Sequence, residues 1–411
     1  MGKHKAVGLY VAGLLIFGCL NTLMTKLQFD MTSVGSEGEV KHFQKPFFGT
    51  LLMFMGMTLV LPMHAGFQRC GQKKKDGYAE LDGGEARPSL WQSAVMISVP
   101  AIFDLLASLL CFVGLLYNNA SVWQMLRGSM IIFSALLSVA FLNRKLKGFH
   151  WLGVTIACCA IVVIGFANLK TSEATAGAPS SVPPAMVAFG MGCILAGQVV
   201  QASQVVAEER LLQDIDLHPF LIVGFEGLWG VIGMAVLYAV LPYIPGDDNG
   251  KLEDMGDTVV MIQNNTQLLK VIGVYVFSVF TYNIVGMYVT ASLSAVHRSM
   301  LEASRTAIIW AIDLTINYTT SGNDFGEKWV NPWSFVQLGG FILLVLGQSI
   351  YSQILIVPGF TYPFTPLQTP ASPAAVFHLP GDLPPTDAEW TLACTPKGGP
   401  LPGGEVERTV L

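Results

Sequence analysis

Charge is scarce in this sequence. Only 12% of its residues are Asp, Glu, Lys or Arg, about half the ~25% usual in a soluble domain. The 23 basic and 28 acidic residues form no basic face interleaved with aromatics, which excludes nucleic acid as an expected partner. Cysteine is also sparse. The seven cysteines (Cys19, Cys70, Cys111, Cys158, Cys159, Cys193 and Cys394) lie in apolar runs, one basic loop and the C-terminal stretch, without a CxxC pair. Neither a disulfide framework nor a metal site follows from that spacing. No phosphate-binding GxxxxGK[ST] loop, HExxH or GxSxG pattern occurs. That argues against an ATP-driven pump and leaves no catalytic residue and no cofactor to nominate.

Apolar residues dominate instead. They make up 52% of the 411 residues, with a mean hydropathy of +0.53. A bilayer-crossing helix needs ~20 mostly apolar residues, and about ten such runs are present, at 6–25, 46–65, 93–117, 121–142, 150–169, 184–206, 219–243, 268–291, 300–319 and 333–356. The fold class expected is therefore an all-α integral membrane protein. The first run follows Lys3 and Lys5 like a signal peptide, but continues into Asn21 and Thr22 without a small-x-small cleavage site, and reads as a mature helix.

Lys and Arg set the expected orientation. With the N-terminus in the cytosol, every loop arginine (Arg69, Arg87, Arg144, Arg210, Arg298) falls on the cytosolic side. The opposite, lumenal side collects Asp247, Asp248, Glu253, Asp254 and Asp257. Both termini are then cytosolic, and the sequon at Asn264 is lumenal, with a second at Asn317 close to the bilayer. Residues 244–267 read as a polar loop holding a short interfacial turn or helix. Residues 357–411, rich in Pro, Gly and Thr, read as a disordered cytosolic tail. Tyr78 to Leu81 (Tyr-Ala-Glu-Leu) has the form of a tyrosine-based signal for sorting adaptors, and points to the endomembrane system, lysosomal or vacuolar ahead of Golgi. The terminal Thr409-Val410-Leu411 could be bound by a domain that reads C-terminal peptides.

The run 121–142 carries Arg127 inside hydrocarbon, where a charge costs ~2.5 kcal/mol or more and normally faces a bundle interior or a water-filled path. The block LRGSMIIF at 126–133 has a counterpart in SRTAIIW at 304–310, each placing an arginine before an Ile-Ile-aromatic run in the fourth helix of its half. Five crossings per half would invert the second copy, the plan of two inverted five-helix repeats common in secondary transporters. The divisions expected are 1–169 and 184–356 for the repeats, joined by a lumenal connection at 170–183. Inversion places Arg127 ~9 Å inside the lumenal end of its helix and Arg305 ~7.5 Å inside the cytosolic end of its own. Each arginine is then expected to guard its own vestibule.

Residues 6–356 resemble the drug/metabolite transporter superfamily (EamA-like) and, within it, the F subfamily of solute carrier family 35, related to nucleotide-sugar carriers. The stretches that carry the likeness include LYVAGLLIFGCLNTLMTK, QMLRGSMIIFSALLSVAFLNRKL, VVAEERLLQDIDLHPFLIVGFEGLWG and LSAVHRSMLEASRTAIIWAIDL. The resemblance implies a central cavity lined by the first four helices of each half. It leaves the fifth helices outside, available for oligomer contacts such as a homodimer. It places Asn21, Asp104, Gln124, Arg127, Gln198, Gln201, Glu226 and Arg305 in or near the cavity as candidate substrate-binding residues.

Each of these has a plainer alternative. Asp104, with Ser108 and Cys111 on its face, is a proton or cation site or else an ion-pair partner fixing Arg127. Glu226, between glycines, is a coupling carboxylate or a packing partner of an arginine. Gln124 shares a face with Arg127 and could bind substrate oxygens with it, or bridge helices. Asn21 reads first as a helix-packing residue, Glu302 as a local partner of Arg305, and Asp313 as a deeper carboxylate on the same helix. The expected function is secondary-active or facilitative transport of a polar or anionic organic solute by alternating access. A non-transporting membrane scaffold or receptor is the alternative, and a membrane enzyme is improbable for want of motifs.

Overall fold

Apolar length sets the architecture. The computed structural model describes residues 2–72, 90–142, 145–175, 182–212, 219–246, 248–292, 295–319 and 326–360. The sorting signal at Tyr78 to Leu81 and the tail beyond residue 360 lie outside these. The elements are α1 (Gly2–Asp30), β1 (Thr32–Val34), β2 (Val40–His42), α2 (Pro46–Thr58), α3 (Val60–Gln72), α4 (Leu90–Leu116), α5 (Ala120–Arg127), α6 (Met130–Leu142) and α7 (Gly148–Thr175). They continue with α8 (Pro184–Leu212), α9 (Pro219–Val240), α10 (Met255–Asn264), α11 (Thr266–Ser292), α12 (Ala295–Thr319) and α13 (Trp333–Tyr351).

Among the described residues, nine spans are long and apolar enough to cross a membrane, two of them built from paired helices, α2 with α3 and α5 with α6. The tenth expected span is α12. Its 25 residues reach ~37 Å at 1.5 Å per residue, more than the ~30 Å hydrocarbon core, but Glu302, Arg305 and Asp313 dilute its hydropathy. Several expected boundaries shift, two of them in the middle of the chain. The helix α7 runs on to Thr175, so Lys170 and Glu173, placed by the sequence in a connection, form an i,i+3 pair of 2.6 Å near its end. The helix α8 continues to Leu212, beyond residue 206.

The run 121–142 is not one helix. It breaks after Arg127, where the N–H of Gly128 bonds the Met125 carbonyl (3.0 Å) and that of Ser129 bonds Leu126 (3.0 Å). These i→i+3 bonds tighten the chain into a 3-10 turn. Gly128 keeps α13 close: a Cβ there would lie 2.7 Å from the Leu344 and 3.0 Å from the Gln348 side-chain ends, which would have to move. The corresponding stretch of α12 is unbroken.

Three helix pairings dominate the packing. The most extensive interfaces join α7 to α13, α4 to α8 and α1 to α11. Under the expected division into 1–169 and 184–356, exchange of the halves would turn the second pairing into the third and map the first onto itself. In the α7–α13 interface the backbones touch: a Cβ on Gly153 would sit 2.8 Å from the Gly347 carbonyl, and one on Gly347 2.8 Å from that of Gly153. Small residues permit such approach where lipid supplies no hydrophobic drive.

One end of the bundle carries a cap that the sequence did not announce. The strands β1 and β2 form an antiparallel hairpin tied to α10 and the turn before α11. Ser33 Oγ donates to the Met261 carbonyl (2.6 Å), Asn264 Nδ2 to Val34 (2.9 Å) and Asn265 Nδ2 to Thr32 (2.9 Å). The expected interfacial turn or helix at 244–267 is thus α10, whose first turn is capped by Asp254 Oδ1, 2.9 Å from the Gly256 N–H. A tight turn at Asn249 and Gly250, both at positive φ (52° and 75°), is the type I′ geometry favoured by Asn-Gly. It sets Asp248 in place.

The cap is held by charge. Lys45, 2% exposed, bonds Asp248, and Asp257 at 2.9 Å. The half-buried Lys41 reaches the same two carboxylates at 2.8 and 2.9 Å. Burial pushes the Asp257 carboxyl up, but Lys41, Lys45 and the Ser36 amide outweigh it and hold the group well below the usual carboxylate range. Glu253 does different work. Its Oε2 accepts from the Phe47 N–H (3.0 Å), and its Oε1 from the Phe48 N–H (2.8 Å) and the Tyr238 hydroxyl (2.6 Å). It thereby satisfies amides of the first turn of α2, which no local side chain caps, at the positive end of the helix dipole. Burial pushes Glu253 up to about 7 even so.

Candidate functional site

Between α1, α2, α4, α5, α8, α11 and α12 lies a cavity of about 220 Å³. Its walls are largely apolar, from Met53, Met57, Phe112, Leu115 and Val279, and its polar groups come from both halves. Five of the eight expected residues line it: Asn21, Asp104, Arg127, Gln201 and Arg305. Three do not. Gln124 lies just behind the wall, with its Nε2 on Thr22 Oγ1 (2.5 Å) and its Oε1 accepting from Arg305 Nη2 (3.3 Å). Gln198 is fully buried, its Nε2 3.3 Å from Cys111 Sγ. Glu226 accepts from Gln204 Nε2 at 3.3 Å on α8, directed to a helix contact and not to the cavity.

The two arginines share this one cavity, which corrects the expectation of separate vestibules. The reason is helix length. Because α12 begins at Ala295, Arg305 stands ten residues inside, ~15 Å along the axis, near the helix midpoint. Arg127, at the end of the short α5, meets it there.

Their environments differ. Arg305 is buried and engaged: Nη2 lies 2.7 Å from Glu302 Oε2 and Nη1 donates to the Tyr282 hydroxyl at 3.1 Å. The Tyr282 hydroxyl in turn bonds Glu302. The local Glu302–Arg305 pair expected from their spacing is therefore present. Only glycine fits beside it, since a Cβ on Gly18 would fall 2.6 Å from Arg305. Arg127 is half-buried, its guanidinium 4.7 Å from the centroid of the Trp123 ring, a cation–π contact. Among the described residues no carboxylate lies within ion-pair distance of it, so Asp104 is not its partner. Asp104 instead accepts from Ser108 Oγ at 3.3 Å. Two polar atoms of lining residues are buried without a hydrogen-bond partner, Asn21 Oδ1 and Arg305 Nε.

Trp123, Tyr275, Tyr282 and Asn283 also line the cavity and were missed in the sequence. The signal available was the Thr-Tyr-Asn interruption at 281–283 of an otherwise apolar run. Asp313, the deeper carboxylate of α12, is buried away from this lining, near Glu327. Glu327, between α12 and α13, bonds Ser121 and accepts from Gln337 Nε2 (3.3 Å). Among the described residues no group of three or more His, Cys, Asp or Glu is arranged to hold a metal ion.

This arrangement, with polar groups of both halves converging on a cavity inside a multi-pass helical bundle, is that of a solute carrier. Residues 59–300 match the family described as nucleotide-sugar transporter. Solute carrier family 35 member F6 of Pongo abelii is 31% identical over 359 residues, covering 85% of this chain and 89% of the relative. The protein of the same name from Homo sapiens is 31% identical over 353 residues, covering 84% and 88%. The chain belongs to the F subfamily of solute carrier family 35. An uncharacterised protein of Schizosaccharomyces pombe is 28% identical over 350 residues, covering 84% of this chain and 97% of its own length. As a member of solute carrier family 35, the chain is a multi-pass membrane transporter of small solutes.

Proposed function

We propose that this carrier moves a polar or anionic organic solute by alternating access, binding it in the 220 Å³ cavity between the repeats 1–169 and 184–356. One observation supports this most: Arg127 faces the cavity from an apolar helix with a tryptophan face for company and no carboxylate partner among the described residues. A guanidinium kept in that state supplies a strong, directional site for a carboxylate or phosphate. Arg305, already neutralised by Glu302, tightens the wall through Gln124. Nucleotide sugars, the cargo in the matched family's description, fall within this broad class.

The test is uptake into proteoliposomes from a panel of organic anions, amino acids and nucleotide sugars, with and without a pH gradient. Arg127→Gln, reconstituted at equal amounts, is expected to lower uptake of the transported solute at least tenfold, about 1.4 kcal/mol by the usual relation. Wild-type uptake by Arg127→Gln would remove the arginine from the binding role. A chain with no saturable flux for any solute is the scaffold of the alternative reading.

We also place the capped end in the lumen of an endomembrane compartment, lysosomal or vacuolar, with both termini cytosolic. The distribution of Lys and Arg supports this. The side chain of Asn264 is exposed, and a glycosylated amide keeps one N–H for its bond to Val34. Endoglycosidase treatment should increase the mobility of the wild type and not of Asn264→Gln. An unglycosylated wild type, with a C-terminal tag reached only after the lumenal face is opened, would reverse the orientation.

A further inference from the structure

A second polar site lies toward the lumenal end of the bundle, outside the solute cavity, and bears on alternating access, the reading on which this inference rests. Its centre is a pair of carboxylates, Glu327 (4% exposed) and Asp313 (7% exposed), close enough to repel each other. Among the described residues neither has a Lys, Arg or His within ion-pair distance. Lys26 on α1 acts on Asp313 from farther off and is itself paired with Asp30 at 3.8 Å, where His42 also bonds. The adjacent Lys328 is exposed. Two buried carboxylates without a counter-charge are costly to ionise together.

The surroundings of the two groups differ. Glu327 is met by donors from three helices. The Ser121 hydroxyl on α5 bonds it, the Gln337 amide on α13 donates to it at 3.3 Å, and Asn119, just before α5, and Trp310 on α12 face it. Such a shell suits an anion. The Asp313 side chain has no hydrogen-bond partner among the described residues, which suits a neutral carboxyl. The place of the pair gives it a mechanical role. Asn119 and Ser121 belong to the first repeat, and Trp310, Asp313 and Gln337 to the second. Ser121 also stands six residues, ~9 Å along the axis, from Arg127 on the same short helix. A lumenal opening that parts α5 from α12 breaks the Ser121 bond and admits water to both carboxylates, which can then ionise together.

We infer that Glu327 and Asp313 form a proton-binding site of the carrier, holding one proton between them while α5 and α12 are closed and giving it up when those helices part. Closing takes the proton from lumenal water and opening returns it. By linkage, an acid lumen then favours the closed form and a neutral one the open form. Burial pushing the Glu327 carboxyl up, against its four donors, agrees with that direction.

Hydrogen–deuterium exchange of the full chain in proteoliposomes, without solute, from pH 5 to 8 and corrected for the intrinsic exchange rate, tests this. The amides of α5 (Ala120–Arg127) are expected to be better protected in acid, with protection changing by up to about tenfold per pH unit, the limit for one linked proton. Asp313→Asn, which leaves Glu327 its donors and no second carboxylate, should flatten that slope. Glu253→Gln, in the cap, should keep it. A wild type without the slope, or one better protected in alkali, overturns the proton site whether or not the variants fold. A slope unchanged in Asp313→Asn, or lost in Glu253→Gln, overturns it as well. Because exchange is read without solute, these results leave the carrier reading standing, and that reading falls only if the uptake panel shows no saturable flux.

Discussion

Lys45→Met is expected to destabilise the protein by about 3 kcal/mol, the low end of the ~3–5 kcal/mol seen when one member of a buried ion pair is removed. The cost lies in what stays behind. Asp257, fully buried, and Asp248, 14% exposed, both bond Lys45, and without it they face each other with only Lys41 between them. Lys41 keeps the loss at the lower end, since it reaches both carboxylates. Its own replacement, Lys41→Met, should cost about 1 kcal/mol or less, because that side chain is 31% exposed and solvent screens it. Thermal unfolding of the detergent-solubilised protein distinguishes the two. Adding Asp257→Asn to Lys45→Met should recover part of the loss. Equal midpoints for Lys45→Met and Lys41→Met would mean that the cap is not held by the buried lysine.

The second large effect is a pH dependence seated in Glu253. Its carboxyl is pushed up to about 7 in the folded protein, first by burial, against the pull of Tyr238, the Phe47 and Phe48 amides and Lys45. An unfolded glutamate titrates near ~4.3. Between those values the folded chain binds the proton more tightly, so stability falls as pH rises through about 4.5 to 7. The full span is on the order of 3 kcal/mol at 1.36 kcal/mol per unit. Asp257 and Asp254 are shifted down and Lys41 up, which keeps their titrations out of this window, while burial pushes Asp30, at the foot of the hairpin, up and adds to the same trend. The protein should therefore unfold at a higher temperature at pH 5 than at pH 8, and Glu253→Gln should flatten a measurable part of that difference. A wild-type profile that rises from pH 5 to 8 contradicts the assignment.

Much of the bundle was legible because hydropathy reports length. Each expected run is helical, with α12 recognisable in spite of its charges and the 46–65 and 121–142 runs each concealing a break that apolar content cannot reveal. Polar residues within apolar runs stood out in the same way, which is why Asn21, Asp104, Gln201 and both arginines were found. Hydropathy does not report which face a residue takes. Gln198 and Glu226 look identical to Gln201 and Asp104 along the sequence, yet their helices turn them toward Cys111 and Gln204. The shared cavity was missed through helix ends: five residues added at the start of α12 move Arg305 from an expected vestibule to near the middle of its helix. The cap was illegible for another reason. Its strands are three residues long, and the partners of Lys45 lie in the opposite half of the chain.

That last separation also bears on how the protein is made. The contacts of Lys45 join residues 203 and 212 positions apart, and Glu253 caps α2 from 205 and 206 positions away. At ~5–20 residues per second, synthesis takes about 10–40 s to deliver those carboxylates after Lys45 has emerged. Throughout that interval the second membrane segment has an uncapped start and a cation without its counter-charges. The first half of the chain is thus a dependent of the second during biogenesis, and a ribosome stalled before residue 248 leaves behind a half-carrier whose entry to α2 has nothing to close it.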